Sequence, residues 1–144
     1  MLSLYNTLSR RKETLVVGSN GSFGMYTCGP TVYRDAHIGN LRSYLMADWI
    51  RRILLFDDID VTHIKNITDV GHMRQEMLEQ GEDKVVAAAR AEGKSAADIA
   101  DFYTQRFIDD ELAINIIPAS RLPKATDHVR EMIDIAVDLV SNGL

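Results

Sequence analysis

The sequence predicts an α/β fold built around one βαβ unit, and three consecutive segments carry this prediction. The stretch SFGMYTCG (22–29) has the composition of a strand and stops at a Gly-Pro-Thr break, after which apolar residues recur at helical spacing over 38–56. The segment IDVTHIKNIT (59–68) then alternates and is rich in β-branched residues, as strands are. A strand, a helix and a strand in this order form two parallel strands joined by a right-handed crossover.

Residues on either side of this unit complete the predicted order of elements. ETLVV (13–17) is a further β segment, and the turn GSNGS that follows it predicts a hairpin with the strand at 22–29. Beyond the βαβ unit the pattern becomes helical from MRQEMLEQ (73–80) onward. Ser95 is placed to cap one helix, and a last helix is expected to end at Gly143.

Composition and charge exclude several classes of protein. The formal net charge of -5 argues against a general basic surface for nucleic acids, and the single cysteine excludes an internal disulfide. The apolar runs are far shorter than the roughly 20 residues that a membrane span needs. The N-terminus lacks the apolar core of a signal peptide. We therefore expect a cytoplasmic protein without a membrane partner.

Ligands of parallel sheets bind beyond the carboxyl ends of the strands, which here are the loops after residues 28 and 67. Cys28 ends the first of these strands; its thiolate would suit zinc, although a lone cysteine is more often a small buried apolar side chain. His37, Gly39 and Asn40 open the following helix, where backbone N–H groups and the helix dipole favour phosphate. Taken as four residues alone, His-Ile-Gly-Asn is better explained as a turn with helix-capping residues.

The loop after the second strand, KNITDVGH (65–72), is rich in polar residues. The hydroxyl of Thr68 could contact a small ligand, and Asp69 could form a charge-assisted bond to a ligand amine. Asn, Thr and Asp are also ordinary turn formers, so a simple polar strand exit is the alternative.

Three motifs, in this order and at this spacing, closely resemble the N-terminal catalytic half of bacterial cysteinyl-tRNA synthetases, which are class I enzymes. The motifs are MYTCGPTVY, DAHIGNLRSYL and KNITDVGH. The segments LYNTLSRRKE, EGKSAADIADFYTQRFIDD and RLPKATDHVREMID extend the resemblance to nearly all of the chain.

The resemblance implies a role for each motif. His-Ile-Gly-Asn would correspond to the His-Ile-Gly-His signature that holds ATP, supplied with Mg²⁺, and would contribute His37 and Asn40 as catalytic residues and Gly39 as a nucleotide contact. Cys28 would bind a Zn²⁺ ion that also takes the sulfur of the substrate cysteine, because a soft metal prefers thiolate to hydroxyl. The substrate amino acid would be bound by Gly29, Thr31, Asn66 and Thr68.

The fold that the resemblance implies is the Rossmann-like nucleotide-binding fold of class I synthetases, truncated and followed by a mainly helical segment. Residues 1–73 would form its first half and residues 74–144 a mainly helical continuation. The second half, with the Lys-Met-Ser-Lys-Ser signature and the other zinc ligands, and the anticodon-binding domain have no counterpart in this sequence.

The expected function is that of a cysteine-tRNA ligase, whose partners are cysteine, ATP and cysteine tRNA. We expect the full-length enzyme to be a monomer, and the isolated 144-residue chain to be inactive and to self-associate. Two alternatives remain open at this point. One is the related ligase of mycothiol synthesis, which joins activated cysteine to an amino sugar, and the other is a truncated, non-catalytic binding module.

Overall fold

The structure is a computed structural model that describes residues 2–19, 21–70 and 84–144. The predicted start of the helical region at 73–80 therefore lies outside the described residues. In chain order the elements are strands β1 (Ser3–Asn6), β2 (Arg11–Thr14) and β3 (Ser22–Thr27), helix α1 (Ile38–Phe56), strand β4 (Asp60–Lys65), helices α2 (Lys84–Glu92) and α3 (Ala96–Ala113), a 3-10 turn (Ala125–His128) and helix α4 (Val129–Ser141).

The βαβ unit predicted from the sequence is present. Strands β3 and β4 pair in parallel, from Ser22 opposite Asp60 to Thr27 opposite Lys65, and α1 connects them. Parallel strands need such a crossover because the end of the first strand and the start of the second lie at opposite edges of the sheet. The carboxyl ends of both strands therefore meet at one edge, and this edge carries the candidate site.

A third segment extends this sheet on the far side of β4. The N–H of Lys65 donates to the carbonyl of Arg121 at 3.1 Å, and the N–H of Ile67 donates to the carbonyl of Pro123 at 2.8 Å. The N–H of Ala125 returns a bond to the carbonyl of Ile67 at 3.0 Å. Because the bridges on this side are also parallel, β4 lies between two parallel neighbours.

The predicted hairpin between 13–17 and 22–29 is wrong, because β2 pairs antiparallel with β1 instead. Local polar contacts close this shorter hairpin. The Oδ1 of Asn6 accepts the N–H of Leu8 at 2.9 Å, and its amide donates to Glu13 at 2.7 Å. Such contacts of an asparagine with its own turn are a local alternative to pairing with a more distant strand.

The hydrophobic core lies where α1, α2 and α3 meet the loops at the carboxyl edge of the sheet. Ser95 caps α3 as predicted, and its hydroxyl accepts the N–H of Asp98 at 3.1 Å while the Asp98 carboxylate binds back to Ser95. This capping box fixes the start of the helix that supplies much of the core. The buried members of the core are Val32, Tyr44, Ile67, Val85, Ala89, Ile99, Ala100, Phe107 and Ile116.

Helix α1 also holds the loop that precedes the third parallel segment. The buried carboxylate of Asp48 accepts the N–H of Ile117 at 2.9 Å and the Nε of Arg52 at 2.6 Å. Arg51 donates to the carbonyl of Pro118 at 2.7 Å. These bonds satisfy loop groups that would otherwise be unpaired, and they place residues 120–125 against β4.

A buried ion pair joins the sheet to α3. Lys65 is 0% exposed, and its Nζ pairs with the carboxylate of Glu111. The same ammonium group lies 5.1 Å from the ring centroid of Tyr44 and 5.4 Å from that of Phe107. A buried charge is tolerated only when it is paired, so these contacts fix β4, α1 and α3 relative to one another.

Helix α4 is exposed along its whole length. Its apolar side chains are left uncovered by the described residues, and the helix ends as predicted, with Gly143 at a φ of 78°. Within the described ranges no helix is long and apolar enough to cross a bilayer. Self-association of the isolated chain stays a prediction.

The buried ion pair gives a direct test of this packing. We expect Glu111→Gln to lower the free energy of unfolding by about 3–5 kcal/mol, because it leaves the Lys65 charge buried without a counter-charge. Replacing both partners by apolar residues, Lys65→Met with Glu111→Leu, is expected to restore stability to near that of the unmodified chain. Urea denaturation followed by circular dichroism at pH 7 measures both.

The matched control is Glu92→Gln. Glu92 pairs with Lys94 at 2.9 Å on the surface, and its loss is expected to leave the free energy of unfolding nearly unchanged, because solvent screens an exposed ion pair. Equal stability of Glu92→Gln and Glu111→Gln would contradict the role given to the buried pair.

Candidate active site

The loops that follow β3 and β4 continue the parallel pairing beyond the strands. The N–H of Thr68 donates to the carbonyl of Pro30 at 3.0 Å, and the N–H of Val32 donates to the carbonyl of Thr68 at 3.1 Å. Thr31 and Thr68 are therefore directly opposite each other. The structure thus brings together the two loops in which the sequence predicts the substrate-binding residues.

Gly29 and Asn66 are in unusually close contact. A Cβ atom built on Gly29 would lie 1.8 Å from the backbone oxygen of Asn66, so no other residue fits at this position. The N–H of Gly29 donates to Asn66 Oδ1 at 3.0 Å, and the amide of Asn66 donates to the hydroxyl of Thr68 at 3.0 Å. This chain of bonds orients Thr68, whose hydroxyl proton has no acceptor among the described residues and can be donated to a ligand.

His37, Gly39 and Asn40 form the N-terminal cap of α1. The Nδ1 of His37 accepts the N–H of Gly39 at 3.1 Å and that of Asn40 at 3.3 Å, and the N–H of His37 donates to Asn40 Oδ1 at 3.2 Å. These two helix amides therefore bind the imidazole, although the sequence suggested that such amides would face a phosphate. Gly39 has little space beside the ring, because an added Cβ would be 3.0 Å from His37 Nδ1.

The cap also fixes the chemistry of the His37 side chain. A ring nitrogen that accepts two hydrogen bonds carries no proton, so in the neutral imidazole the proton is on Nε2. Nε2–H then remains as a donor on an exposed side chain, and the amide nitrogen of Asn40 remains as a second donor. Capping and ligand binding are thus compatible, since they use different atoms of the same two residues.

A small cavity lies between the loop after β3 and the start of α1. Its volume is about 170 Å³, and it includes three of the residues predicted from the sequence, Gly29, Thr31 and Asn40. The side chains of Cys28, His37 and Thr68 are not part of its lining. The other lining residues are Pro30, Tyr33, Arg34, Asp35, Ala36 and Tyr44.

Two residues of this cavity were missed by the sequence analysis. Arg34 is exposed, its guanidinium lies 5.2 Å from the ring centroid of Tyr33, and no carboxylate in the described ranges pairs with it. Tyr44 is buried, and its burial together with the nearby Glu111 carboxylate raises its pKa to about 12. The position of Arg34 between the motifs MYTCGPTVY and DAHIGNLRSYL was an available signal. Tyr44 belongs to the second motif, but its helical spacing is that of an ordinary core residue.

Cys28 is exposed at the end of the strand. Catalytic zinc needs at least three protein ligands, and in the described part of the chain no three His, Cys, Asp or Glu side chains are grouped to hold a metal. The residues described here thus supply one thiolate and do not by themselves fit a zinc ion. The assignment of Cys28 as a zinc ligand stays a prediction about a larger set of residues.

His63 is a buried residue of β4 that contacts the end of β3. Its Nε2 is 2.8 Å from the hydroxyl of Thr27, and its Nδ1 is buried without a partner among the described residues. Burial, aided by the positive charges of Lys65 and Arg51, lowers the pKa of His63 from 6.5 to about 4. The imidazole is therefore neutral at pH 7 and forms part of the support of the Thr27–Cys28 strand end.

Asp69, for which the sequence suggested a bond to a ligand amine, has partners within the chain. Its carboxylate accepts the N–H of Thr126 at 3.0 Å and the hydroxyl of Thr126 at 2.5 Å. The residue is buried and ties the loop after β4 to the 3-10 turn. Both oxygens of the Asp69 carboxylate therefore accept hydrogen bonds from Thr126, which stabilises the carboxyl end of the sheet.

Comparison with known proteins identifies the family. A sequence profile described as tRNA synthetases class I (C) catalytic domain matches residues 14–144. The chain belongs to this family. The resemblance stated from the three motifs is thereby confirmed, and it extends over nearly the whole chain.

Similar proteins from individual organisms agree with this assignment. The chain is 46% identical over 142 residues to the cysteine–tRNA ligase of Treponema denticola, covering 99% of this chain and 29% of that protein. It is 38% identical over 143 residues to the cysteine–tRNA ligase of Thermus thermophilus, covering 99% of this chain and 30% of that protein. The chain thus spans less than a third of the length of these relatives.

A solved structure supports the fold. The methionyl-tRNA synthetase of Mycobacterium tuberculosis, bound by methionyl-adenylate, superposes with a TM-score of 0.59 at 24% sequence identity, over 73% of this chain and 18% of that one. The predicted Rossmann-like fold of class I synthetases is confirmed, and the parallel sheet with its crossover helix is the part that carries it.

The close approach of Gly29 to Asn66 leads to a stability prediction. We expect Gly29→Ala to lower the free energy of unfolding by at least about 2 kcal/mol, because the new methyl group displaces the backbone of Asn66. Gly24→Ala, in the strand that precedes this loop, is the control, since a Cβ atom there meets nothing within 4 Å. Thermal unfolding of the two variants measures the difference. Equal melting temperatures would mean that the two loops can separate freely.

The buried His63 leads to a pH prediction. Because its pKa is lowered in the folded chain, the unfolded chain binds the proton more tightly, and stability falls as pH drops from about 6.5 towards 4. Between pH 7 and pH 5 we expect the free energy of unfolding of the unmodified chain to fall by about 2 kcal/mol more than that of His63→Gln. Urea denaturation at both pH values measures this difference.

The control for the pH experiment is His128→Gln, which changes a half-exposed histidine of the 3-10 turn. It is expected to retain the pH dependence of the unmodified chain. Glu111, whose pKa is raised by burial, makes a contribution to stability that increases as pH falls. The unmodified chain and both variants share this contribution, so it does not affect the comparison. The same pH dependence in His63→Gln as in the unmodified chain would refute the neutral, buried state of His63.

Proposed function

We propose that this chain is the N-terminal part of the catalytic domain of a cysteine–tRNA ligase. The full protein would join cysteine to ATP, forming cysteinyl-adenylate and pyrophosphate, and would then transfer the cysteinyl group to the terminal ribose of cysteine tRNA. The observation that carries this proposal is the similarity to cysteine–tRNA ligases over 99% of the chain, in a fold that gathers the three motifs at one edge of the sheet.

The first step is a displacement at phosphorus. The carboxylate of cysteine attacks the α-phosphate of ATP, a carboxyl oxygen–phosphorus bond forms, and the bond between the α-phosphate and the departing pyrophosphate breaks. The contribution of the protein to such a reaction is mainly positioning and electrostatic stabilisation. We assign His37 Nε2–H and the amide of Asn40 to the phosphate oxygens, because the cap leaves both groups free as donors.

The amino acid is assigned to the loops that meet beyond β3 and β4. Thr68 offers its hydroxyl proton, since its oxygen already accepts a bond from Asn66. Gly29 and Thr31 line the adjacent cavity, and Gly29 allows the two loops to approach each other. Asn66 acts by holding this arrangement. When bound, zinc would supply a soft Lewis acid for the sulfur of the substrate, with Cys28 as one of its ligands.

Cysteine-dependent exchange of pyrophosphate into ATP tests the adenylation step. The protein translated from the complete reading frame is expected to catalyse exchange with cysteine. The 144-residue chain is expected to show little exchange, because its sequence lacks the Lys-Met-Ser-Lys-Ser signature, which the family resemblance implies would stabilise the departing pyrophosphate. In the complete protein, His37→Ala is expected to lower the exchange rate by about tenfold or more through the loss of a charge-assisted hydrogen bond.

His128→Ala is the matched control, because this histidine lies on the 3-10 turn rather than at the candidate site. No cysteine-dependent exchange by the complete protein would refute the proposal. Exchange followed by transfer to an amino sugar instead of tRNA would replace the tRNA ligase by the related ligase of mycothiol synthesis.

A further inference from the structure

The hydroxyl of Tyr44 has no hydrogen-bond partner in the part of the chain that the structure describes. Tyr44 is 7% exposed, and a buried tyrosine hydroxyl usually finds such a partner. The polar side-chain atoms that are fully enclosed and unpaired among the described residues belong to Arg51, His63 and Thr104. The Tyr44 hydroxyl is not one of them, so it retains some contact with solvent, and Tyr44 is a lining residue of the cavity described above.

The ring of Tyr44 is held rigidly in place. The ammonium group of Lys65 lies 5.1 Å from its centroid, and the ring of Phe107 meets it edge-on at 5.2 Å with an interplanar angle of 71°. Because Lys65 is itself paired with Glu111, its position against the Tyr44 ring is fixed. A phenol that is held in this way presents its hydroxyl to the cavity with little loss of side-chain entropy on binding.

The cavity has an excess of positive charge. Arg34 lines it without a carboxylate partner in the described ranges. The one carboxylate in the lining, that of Asp35, is held by Arg106 through two bonds, the second from Nη2 to Oδ2 at 3.1 Å. The negative charge of Asp35 is thus compensated, whereas the positive charge of the Arg34 guanidinium is not paired with a carboxylate in the described ranges.

The size of the cavity limits what can occupy it. Its volume of about 170 Å³ is smaller than the roughly 300–1,000 Å³ of pockets that enclose a complete drug-sized ligand. It therefore suits one charged group of a ligand that extends beyond it. Guanidinium and hydroxyl donors are the groups that proteins use to bind carboxylate and phosphate oxygens.

We propose that Arg34 and Tyr44 form an oxyanion-binding subsite for the substrates of the proposed adenylation reaction. The bound group is either the carboxylate of the amino acid or a phosphate of the nucleotide, and both share the same chemistry. The inference rests on the proposed function, because that function supplies both anions. It adds two substrate-binding residues, neither of which belongs to the His-Ile-Gly-Asn motif.

Calorimetric titration of the protein translated from the complete reading frame tests this subsite. It also identifies which substrate, the amino acid or the nucleotide, supplies the bound oxyanion. Tyr44→Phe removes the hydroxyl and keeps the ring, and Arg34→Gln removes the charge. If the carboxylate is bound there, both variants are expected to bind L-cysteine at least about tenfold more weakly and to bind cysteinamide, which lacks the carboxylate, unchanged. If a phosphate is bound there, the same loss is expected for ATP and no loss for adenosine.

The controls are Tyr5→Phe and Arg130→Gln, which alter an exposed tyrosine of β1 and an exposed arginine of α4. Both are expected to bind all four ligands as the unmodified protein does. Unchanged affinity for both L-cysteine and ATP in Tyr44→Phe or in Arg34→Gln overturns the subsite, and the proposed function stands if the unmodified protein binds these ligands. If the unmodified protein binds neither, the proposed function is overturned together with the subsite.

Discussion

The side chain of Lys65 connects the parts of this fold that would otherwise pack independently. It starts from the central strand of the sheet, passes the rings of Tyr44 on α1 and Phe107 on α3, and ends at the carboxylate of Glu111. A charge in this position cannot be left unpaired, so the two helices have little freedom to shift on the sheet. This contact positions α1 on the sheet and therefore also the start of α1 relative to the loop after β3. The candidate site lies between these two segments.

Two residues of the site each have two roles, carried by different atoms of the same side chain. His37 closes the first turn of α1 with one ring nitrogen and keeps the other for a ligand, and Asn66 holds Gly29 with its oxygen and Thr68 with its nitrogen. A donor that is fixed by a second bond needs no reorganisation when substrate binds, which is the condition for effective electrostatic stabilisation. The motifs of this chain therefore form hydrogen bonds within the fold as well as carrying the groups proposed to bind substrate.

The sequence predicts the βαβ unit, the cap at Ser95 and the loops of the site because each depends on local patterns: alternation, helical spacing, and capping or turn residues. It misses the third parallel segment, since residues 120–125 contain Pro123 and have no alternation; their strand pairing comes from backbone N–H and carbonyl groups that bond to residues 63–67. The burial of Lys65 is also invisible locally, because lysine in a strand normally points to solvent. Tyr44 and Arg34 become recognisable only when the cavity brings them together.

The position of β4 between its two neighbours has a consequence for synthesis on the ribosome. Its second neighbour, and the Glu111 that neutralises Lys65, follow it by more than forty residues in the chain. At about 5–20 residues per second, translation leaves several seconds in which β3, α1 and β4 have been made while the outer edge of β4 is bare. During that interval Lys65 must stay hydrated, so the nascent βαβ unit cannot close its core until α3 has left the exit tunnel.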